Sequence, residues 1–173
     1  MARAYPGTVL IEGTTLSEGR GTTRALEIIG APNINTAEVH LKMCQMAPKW
    51  MKGAILRPCS FEPTFNKHKG LLCHGLQFHT DLAQYRPGTF KPFRLTAVML
   101  KAIHQVHPGY EIYRHFAYEY VNDKLAFDVI NGGPELRNWI DDPSSTAQDL
   151  DVALQRDEKA WAKERRRYLL YKT

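Results

Sequence analysis

Cysteine is scarce in this 173-residue chain, which contains only Cys44, Cys59 and Cys73. An odd number of cysteines excludes a complete disulfide framework. We therefore expect buried free thiols, and one bridge plus one free thiol is the alternative for an exported protein. The length allows a sizeable hydrophobic core, so one domain is able to fold without such crosslinks.

The chain also lacks an apolar run long enough to cross a bilayer. Near the N-terminus the longest such run is TVLI, which is too short for the apolar region of a signal peptide. Hydrophobic residues at 43% and charged residues at 24% are ordinary for a globular protein. We expect a soluble domain with no membrane partner and no export signal of its own, and its cellular compartment stays open.

Nucleic-acid signatures are missing too, although the formal net charge is +5. Much of the positive excess lies in KERRRYLLYKT at the C-terminus. Cations favour the C-terminal end of a helix, so we interpret this segment as a solvated helix end. No basic stripe interleaved with aromatic residues is present. We expect no nucleic-acid partner.

Nucleotide-binding motifs are incomplete. A P-loop requires G-x-x-x-x-G-K-[ST], but Gly13 and Gly19 are one residue too far apart and Arg20-Gly21 follows. The dinucleotide fingerprint G-x-G-x-x-G fails because Arg24 occupies the place of its third glycine.

Metal-ligand spacing is also lacking around residues 68–79. His74 and His79 fall on opposite faces of a strand, and His68 and Cys73 complete no zinc pattern. Cys73 and His74 are sequence neighbours whose side chains point apart on a strand, which disfavours a catalytic thiol pair. We expect no cofactor and no metal.

Periodicity predicts a mixture of strands and helices. The strands are expected at 8–14, 25–32, 54–57 and 72–80, with a hairpin over 116–130 around the turn residues NDK. In 72–80, Leu72, His74, Leu76, Phe78 and Thr80 define one face, and Cys73, Gln77 and His79 define a polar face.

Four helices are expected. They begin at the cap Asn35, at Pro92 for 92–107, at Pro134, and at the cap Ser145. The last helix has an inner stripe of Leu150, Ala153, Leu154 and Trp161. Because strict β-α-β alternation is missing, residues 1–173 are predicted to form a single α+β (mixed α/β) domain. Its sheet should contain about four to six strands packed by three to four helices.

A polar loop over 12–24, EGTTLSEGRGTTR, combines glycines with hydroxyl, carboxylate and guanidinium side chains. Glycine lets a backbone approach a ligand closely, and these polar groups hydrogen-bond polar ligands. We interpret the segment as a binding loop, and a surface turn is the alternative.

Five motifs occur in an order that resembles one family, the peptidoglycan exo-β-N-acetylmuramidases. They are EGTTLSEGRGTTRALEIIGAP, RPCSFEPTFNKHKG, CHGLQ, FDVINGG and YLLY. The resemblance runs through essentially the whole chain and matches the C-terminal domain of a two-domain enzyme. It implies a Rossmann-like N-terminal partner domain, an active site in the cleft between the two, and release of N-acetylmuramic acid from peptidoglycan fragments.

The resemblance also implies site residues. Glu12 and Glu18 are the candidate catalytic carboxylates, because glycoside hydrolysis uses two carboxyl groups. The candidate substrate-binding residues are Thr14, Ser17, Arg20, Thr22, Thr64, Lys67 and His68. Arg20 suits the lactyl carboxylate of muramic acid, a bidentate task for guanidinium. The alternative is that Glu12 or Glu18 clamps Arg20 inside the loop.

Without its partner domain the chain is expected to be inactive, since the second wall of the cleft is not supplied. Other functions remain open: a stand-alone glycan-binding module, or a non-enzymatic interaction module from a truncated gene. We expect an exposed, partly apolar docking face beside Glu12–Arg24. A second copy of the chain is the other way to cover that face, as a homodimer.

Overall fold

Three antiparallel strands form the sheet in this computed structural model, which describes residues 1–171. Strand β3 (Cys73–His79) lies between β1 (Ile28–Ala31) and β2 (Ile55–Phe61). The mixed α+β class is confirmed, but the sheet has fewer strands than the four to six expected. The segment 8–14, predicted as a strand, is helical, and the hairpin predicted at 116–130 does not form.

Two glycines face each other in the sheet, Gly30 on β1 and Gly75 on β3. A Cβ on Gly75 would lie 2.0 Å from the carbonyl oxygen of Ile29, and one on Gly30 would lie 2.2 Å from that of His74. Both contacts are far too short, so the two strands approach closely only because neither residue has a side chain.

Six helices surround the sheet, two more than the upper number expected. They are α1 (Tyr5–Thr8), α2 (Thr36–Met46), α3 (Pro92–Val106), α4 (Ala126–Asn131), α5 (Glu135–Asp141) and α6 (Ala147–Glu164). Short 3-10 segments follow α1 at Val9–Gly13 and α6 at Arg165–Tyr168. None of the helices within residues 1–171 is long and apolar enough to span a membrane.

Helix α3 forms the centre of the core, as its apolar periodicity predicts. Ala97, Val98, Leu100 and Ala102 are fully buried, and the helix contacts α1, α2 and α5. Pro92 occupies its first turn. Helix α2 also begins as predicted, because the Asn35 side chain accepts a hydrogen bond from the Glu38 amide at 3.3 Å.

The segment 8–14 was misassigned because a short apolar run fits a strand or a buried helix turn equally well. Pro6 lies in the first turn of α1, and the chain continues through the 3-10 segment with Leu10 and Ile11 buried. At 116–130 a tight turn lies before the predicted NDK position, between Tyr118 and Val121, which pair through their backbones. The chain then forms α4, whose αL cap is Gly132 at φ +86°.

Three finer expectations also differ from the structure. The face of β3 predicted to be polar is covered: Cys73 is buried, and buried Gln77 accepts a hydrogen bond from Arg57 at 2.8 Å. Thr146, not Ser145, caps α6 through a capping box with Asp149. Trp161 lies outside the inner stripe and is 56% exposed.

The three cysteines are unpaired, and they differ in exposure. Cys73 is buried, Cys59 is half-buried and Cys44 is exposed, so the expectation of buried thiols is wrong for Cys44. Burial raises the pKa of Cys73 to about 11. Among residues 1–171, no group of three His, Cys, Asp or Glu side chains is placed to hold a metal ion.

A fully buried lysine on α3 holds the end of α5. The Lys101 ammonium donates hydrogen bonds to the carbonyl oxygens of Trp139 (2.6 Å) and Asp142 (2.7 Å) and to the Ser145 hydroxyl (2.7 Å). Helix C-terminal carbonyls lack partners within the helix and attract cations. Ser145 therefore serves this ammonium instead of capping α6.

Replacing this lysine should destabilise the domain. In Lys101→Met the carbonyls lose the ammonium donor and keep only the Ser145 hydroxyl, whose single proton is shared between Trp139 O at 2.7 Å and Asp142 O at 3.1 Å. Each buried group left unsatisfied costs about 1–3 kcal/mol. We expect the free energy of unfolding in urea to fall by about 2–4 kcal/mol. Lys159→Met is the matched control at an exposed position and should change it by less than about 0.5 kcal/mol. Equal stabilities of the two variants would contradict this account of Lys101.

Candidate functional site

The polar loop 12–24 is fixed to the edge of the sheet. Ser17 pairs with Gly30 of β1 through two backbone hydrogen bonds of 2.8 and 3.0 Å. The carbonyl of Glu18 accepts from the amide of Leu26 at 2.8 Å, which closes the loop on itself. An ordered backbone therefore presents the loop side chains in one arrangement.

Residues 61–68 of RPCSFEPTFNKHKG, which we call the second motif from here on, lie directly against this loop. The Thr64 amide donates to the Arg20 carbonyl at 3.1 Å. Gly21 adopts φ +83°, and a Cβ there would lie 1.7 Å from Oγ1 of Thr64. Glycine is thus required at position 21 both for its backbone conformation and for the close approach of the two motifs.

Glu18 lies in the centre of the site, with only 1% of its side chain exposed. Arg20 Nε donates to its Oε1, and Lys67 Nζ forms an ion pair with its Oε2 at 2.6 Å. Burial alone would raise the pKa of this carboxyl, but Lys67 and Arg20 outweigh that effect and lower it. Glu18 is therefore an ionised, enclosed carboxylate at neutral pH.

Lys67 is enclosed as well, with 8% of its side chain exposed. Besides pairing with Glu18, its ammonium donates to the carbonyl oxygens of Ile11 (2.7 Å) and Thr14 (3.2 Å). Burial lowers the pKa of Lys67 to about 8, although Glu18 opposes the shift. Through this ion pair and these two hydrogen bonds, Lys67 ties the second motif to the beginning of the loop.

Arg20 and Glu12 form the accessible part of the cluster. Arg20 Nη2 donates to Glu12 Oε1 at 3.1 Å, with 34% of the arginine side chain and 25% of the glutamate side chain exposed. The Tyr118 hydroxyl is a distant donor to the other oxygen of Glu12, at 3.5 Å. Arg20 therefore bridges Glu12 and Glu18 and forms a clamp inside the loop.

The predicted hydroxyl and imidazole groups divide into inner and outer sets. Buried Thr14 and Ser17 bond within the loop: Thr14 Oγ1 donates to Ile11 O at 2.8 Å, and Ser17 Oγ accepts from the Gly19 amide at 3.1 Å. Thr22 and His68 are half-buried and bond to carbonyls of the loop at 2.7 and 2.9 Å. Thr64 is exposed.

Sequence reasoning missed Arg114. Its backbone amide donates to Gly13 O at 3.2 Å, and its guanidinium lies 3.4 Å from Glu12 O and 3.7 Å from the centre of the Phe116 ring. Burial lowers the pKa of Arg114, while Glu18 raises it. Within the described part of the chain, no carboxylate forms a salt bridge with Arg114. No motif or spacing marks this residue, because it reaches the site from a segment without regular structure.

Exposed aromatic side chains flank the two motifs. Phe65 is 52% exposed within the second motif, and Phe116 is 40% exposed next to Arg114. A separate cavity of about 670 Å³ lies at the α4–α5 corner, with the Asp128–Arg137 ion pair in its wall. Neither Glu12 nor Arg20 lines this cavity.

Titration of Lys67 should reveal its burial. Carbon-13 NMR of lysine Cε atoms should show one group with a pKa of about 8, against the ordinary 10.5. Between these two pH values Lys67 binds a proton more readily in the unfolded chain than in the folded one. Its contribution to the free energy of unfolding therefore rises with pH in that window and is most unfavourable below pH 8. Lys67→Met should remove this signal and Lys69→Met should leave it. If the Lys67 resonance itself titrated near 10.5, the burial of this ammonium group would be contradicted.

Comparison with known proteins places the chain in a family context. Residues 3–171 match the family model described as "Exo-beta-N-acetylmuramidase NamZ, C-terminal". The chain is 33% identical over 168 residues to the peptidoglycan beta-N-acetylmuramidase NamZ of Bacillus subtilis. This match spans 96% of the chain but 36% of that relative, so the chain corresponds to about a third of its length.

Two solved structures of DUF1343 family proteins from Bacteroides fragilis share the fold. One aligns with a TM-score of 0.71 at 19% identity and covers 99% of this chain and 42% of its own. The other aligns with a TM-score of 0.63 at 23% identity and covers 98% and 40%. In both, the matched domain is the smaller part of a longer protein.

Proposed function

We propose that this chain, which belongs to the family of C-terminal domains of the exo-β-N-acetylmuramidase NamZ, forms one wall of a binding cleft. The cleft binds N-acetylmuramic acid at the end of a peptidoglycan fragment. The other wall would come from the region that precedes this domain in the longer relatives. The supporting comparison is the family match over nearly the whole chain.

One observation carries the proposal, the unbalanced charge of the site. Three cations, Arg20, Lys67 and Arg114, surround two carboxylates, Glu12 and Glu18. A partly buried cluster with one excess positive charge favours an anionic ligand. The lactyl carboxylate of muramic acid supplies that single charge, whereas N-acetylglucosamine, which lacks the lactyl group, does not.

Arg20 is the residue best placed to receive this carboxylate. Its Nε and Nη2 are fixed by Glu18 and Glu12, and among the described contacts Nη1 has no protein partner. A guanidinium held in this way loses little further freedom when it binds a ligand. In this proposal Thr22, Thr64 and His68 bond hydroxyl and N-acetyl groups of the sugar.

The two glutamates take different roles in this proposal. Glu18 is enclosed and kept ionised by two cations, so it is unsuited to donate a proton and serves to position Arg20. Glu12 is partly exposed and is the carboxylate of this wall that faces a bound sugar. Glycoside hydrolysis needs a second carboxyl group across the bond, which the preceding region would provide.

Ligand binding tests the charge argument on the chain as it stands. N-acetylmuramic acid should shift the NMR signals of Arg20 Nε and of the 12–24 backbone, and N-acetylglucosamine should not. Arg20→Lys removes the planar donor fork and should weaken the binding about 10–100-fold, as expected for a charged hydrogen-bonded pair. Arg24→Lys is the matched control, because Arg24 pairs with Glu27 and Asp81 outside the cluster. Equal binding of the two sugars would remove the basis for a muramic acid site.

Catalysis should require the missing wall. The pure chain should not hydrolyse a nitrophenyl β-N-acetylmuramide, because neither positioning nor the second carboxyl is supplied. The same chain mixed with the N-terminal region of the Bacillus subtilis relative should hydrolyse it, and Glu12→Gln should lower kcat. Turnover by the chain alone would contradict the division of the site. Sugar binding with no hydrolysis in the mixture would instead favour a stand-alone glycan-binding module.

A further inference from the structure

The end of α6 extends away from the domain that holds its beginning. Leu150 is buried against the core, and buried Arg94 on α3 pairs with Asp151 at 2.6 Å and with Glu158. From residue 159 to residue 171 every residue is exposed. We call residues 159–171 the projecting segment. Within the described residues, its one salt bridge is internal, between Glu164 and Arg167.

The projecting segment is unusually apolar for a surface without contacts. Leu170 is 92% exposed, Tyr171 82%, Tyr168 64% and Trp161 56%. Such a concentration of large exposed side chains marks an interaction surface more often than a solvated one. The sequence pattern placed Trp161 with the core residues Leu150 and Leu154, and the structure leaves it without core contacts. Its apolar surface is therefore exposed and accessible to a binding partner.

The same segment is strongly basic. It contains five Lys or Arg residues and one Glu, which account for most of the net charge of +5. A second copy of this chain is a poor partner, because an isologous contact of the segment with itself would bring like charges together. The chemistry instead fits a partner surface with an apolar groove and acidic groups around it.

The comparisons indicate where such a surface is found. The two solved relatives align with 99% and 98% of this chain, so the projecting segment falls within the shared fold. Those alignments cover only 42% and 40% of the longer proteins, and the family model describes the matched part as C-terminal. A large region that precedes this domain is therefore available to cover the segment in family members.

We propose that the projecting segment is a docking arm, which inserts Trp161 and Leu170 into an apolar groove of the preceding region and sets its basic residues against acidic groups there. The inference rests on the proposed two-walled cleft, but it concerns a different surface from the Glu12–Arg24 loop. The arm would hold the two walls of the cleft in register from outside the site.

Calorimetric titration tests the docking arm. The full chain is titrated with the N-terminal region of the Bacillus subtilis relative, whose folding is verified by circular dichroism. Trp161→Ala and Leu170→Asp should each weaken the binding at least about 10-fold, because both lose apolar anchors. Val152→Asp alters an apolar residue on α6 that is 59% exposed but precedes the segment, and it should bind like the unaltered chain. Raising the salt concentration should weaken the binding.

Each other outcome decides against the arm. Unaltered affinity of both arm variants, or no binding by the unaltered chain, would overturn it. A dimer of the chain that Leu170→Asp dissociates, seen by light scattering, would show a second copy as the occupant. Muramide hydrolysis is measured in the same mixtures. If binding depends on the arm but no hydrolysis occurs, the proposed function is refuted and the docking arm stands. If hydrolysis occurs and the arm variants do not change it, the docking arm is refuted and the proposed function stands.

Discussion

The ion pairs around one buried carboxylate, Glu18, determine the geometry of the motif loop. An ionised carboxylate out of water is tolerated only when cations and donors surround it. Arg20 comes from the same loop, and Lys67 comes from the second motif, 61–68. Separating the two segments would leave a buried charge unpaired, which costs about 3–5 kcal/mol. The pairing thus explains why the loop 12–24 and residues 61–68 act as one structural unit although residues 25–60 lie between them.

Lysine serves the same purpose at two places in this fold. Lys67 binds carbonyl oxygens of the 3-10 segment Val9–Gly13 and of the residue that follows it, and Lys101 binds those at the end of α5. Carbonyls near the ends of helical segments have acceptor capacity to spare, and a cation there also suits the dipole. Ile11 O accepts from Lys67 in addition to the Thr14 amide. The two buried ammonium groups therefore hold short helical segments that have little stability of their own. One of these segments carries Glu12 into the site.

Long periodic elements were predictable from the sequence, and short ones were not. Helix α3 repeats its apolar positions over four turns and begins at a proline, and α2 begins at an asparagine cap, so both agree with the prediction. The run TVLI is too short to distinguish a strand from a helical turn. At 116–130, the turn residues NDK between FAYEYV and LAFDVI predict paired strands, but the structure of this segment is decided by tertiary packing that no local pattern records.

The candidate site shows the same limit. The density of glycine, hydroxyl and charged residues in 12–24 predicts a binding loop. The structure places this loop against residues 61–68, so all nine predicted residues lie in two adjoining segments. The burial of Glu18 and Lys67 was not predictable from the sequence. Their neighbours along the chain are polar, yet both side chains are buried. Arg114 has no motif at all and reaches the site only through the tertiary fold.

The distribution of charge differs between the cluster around Glu18 and the projecting segment 159–171. Around Glu18 the cations are held at fixed positions and exceed the carboxylates by one, which suits a small anion that replaces water. On residues 159–171 the basic groups are solvated and interspersed with exposed Trp161 and Leu170, which suits a broad acidic and apolar protein surface. A fixed and partly buried charge selects its ligand by geometry, whereas solvated charges chiefly steer association and are screened by salt. Most of the net charge of +5 lies on residues 159–171, and the cluster around Glu18 has one cation in excess of its carboxylates.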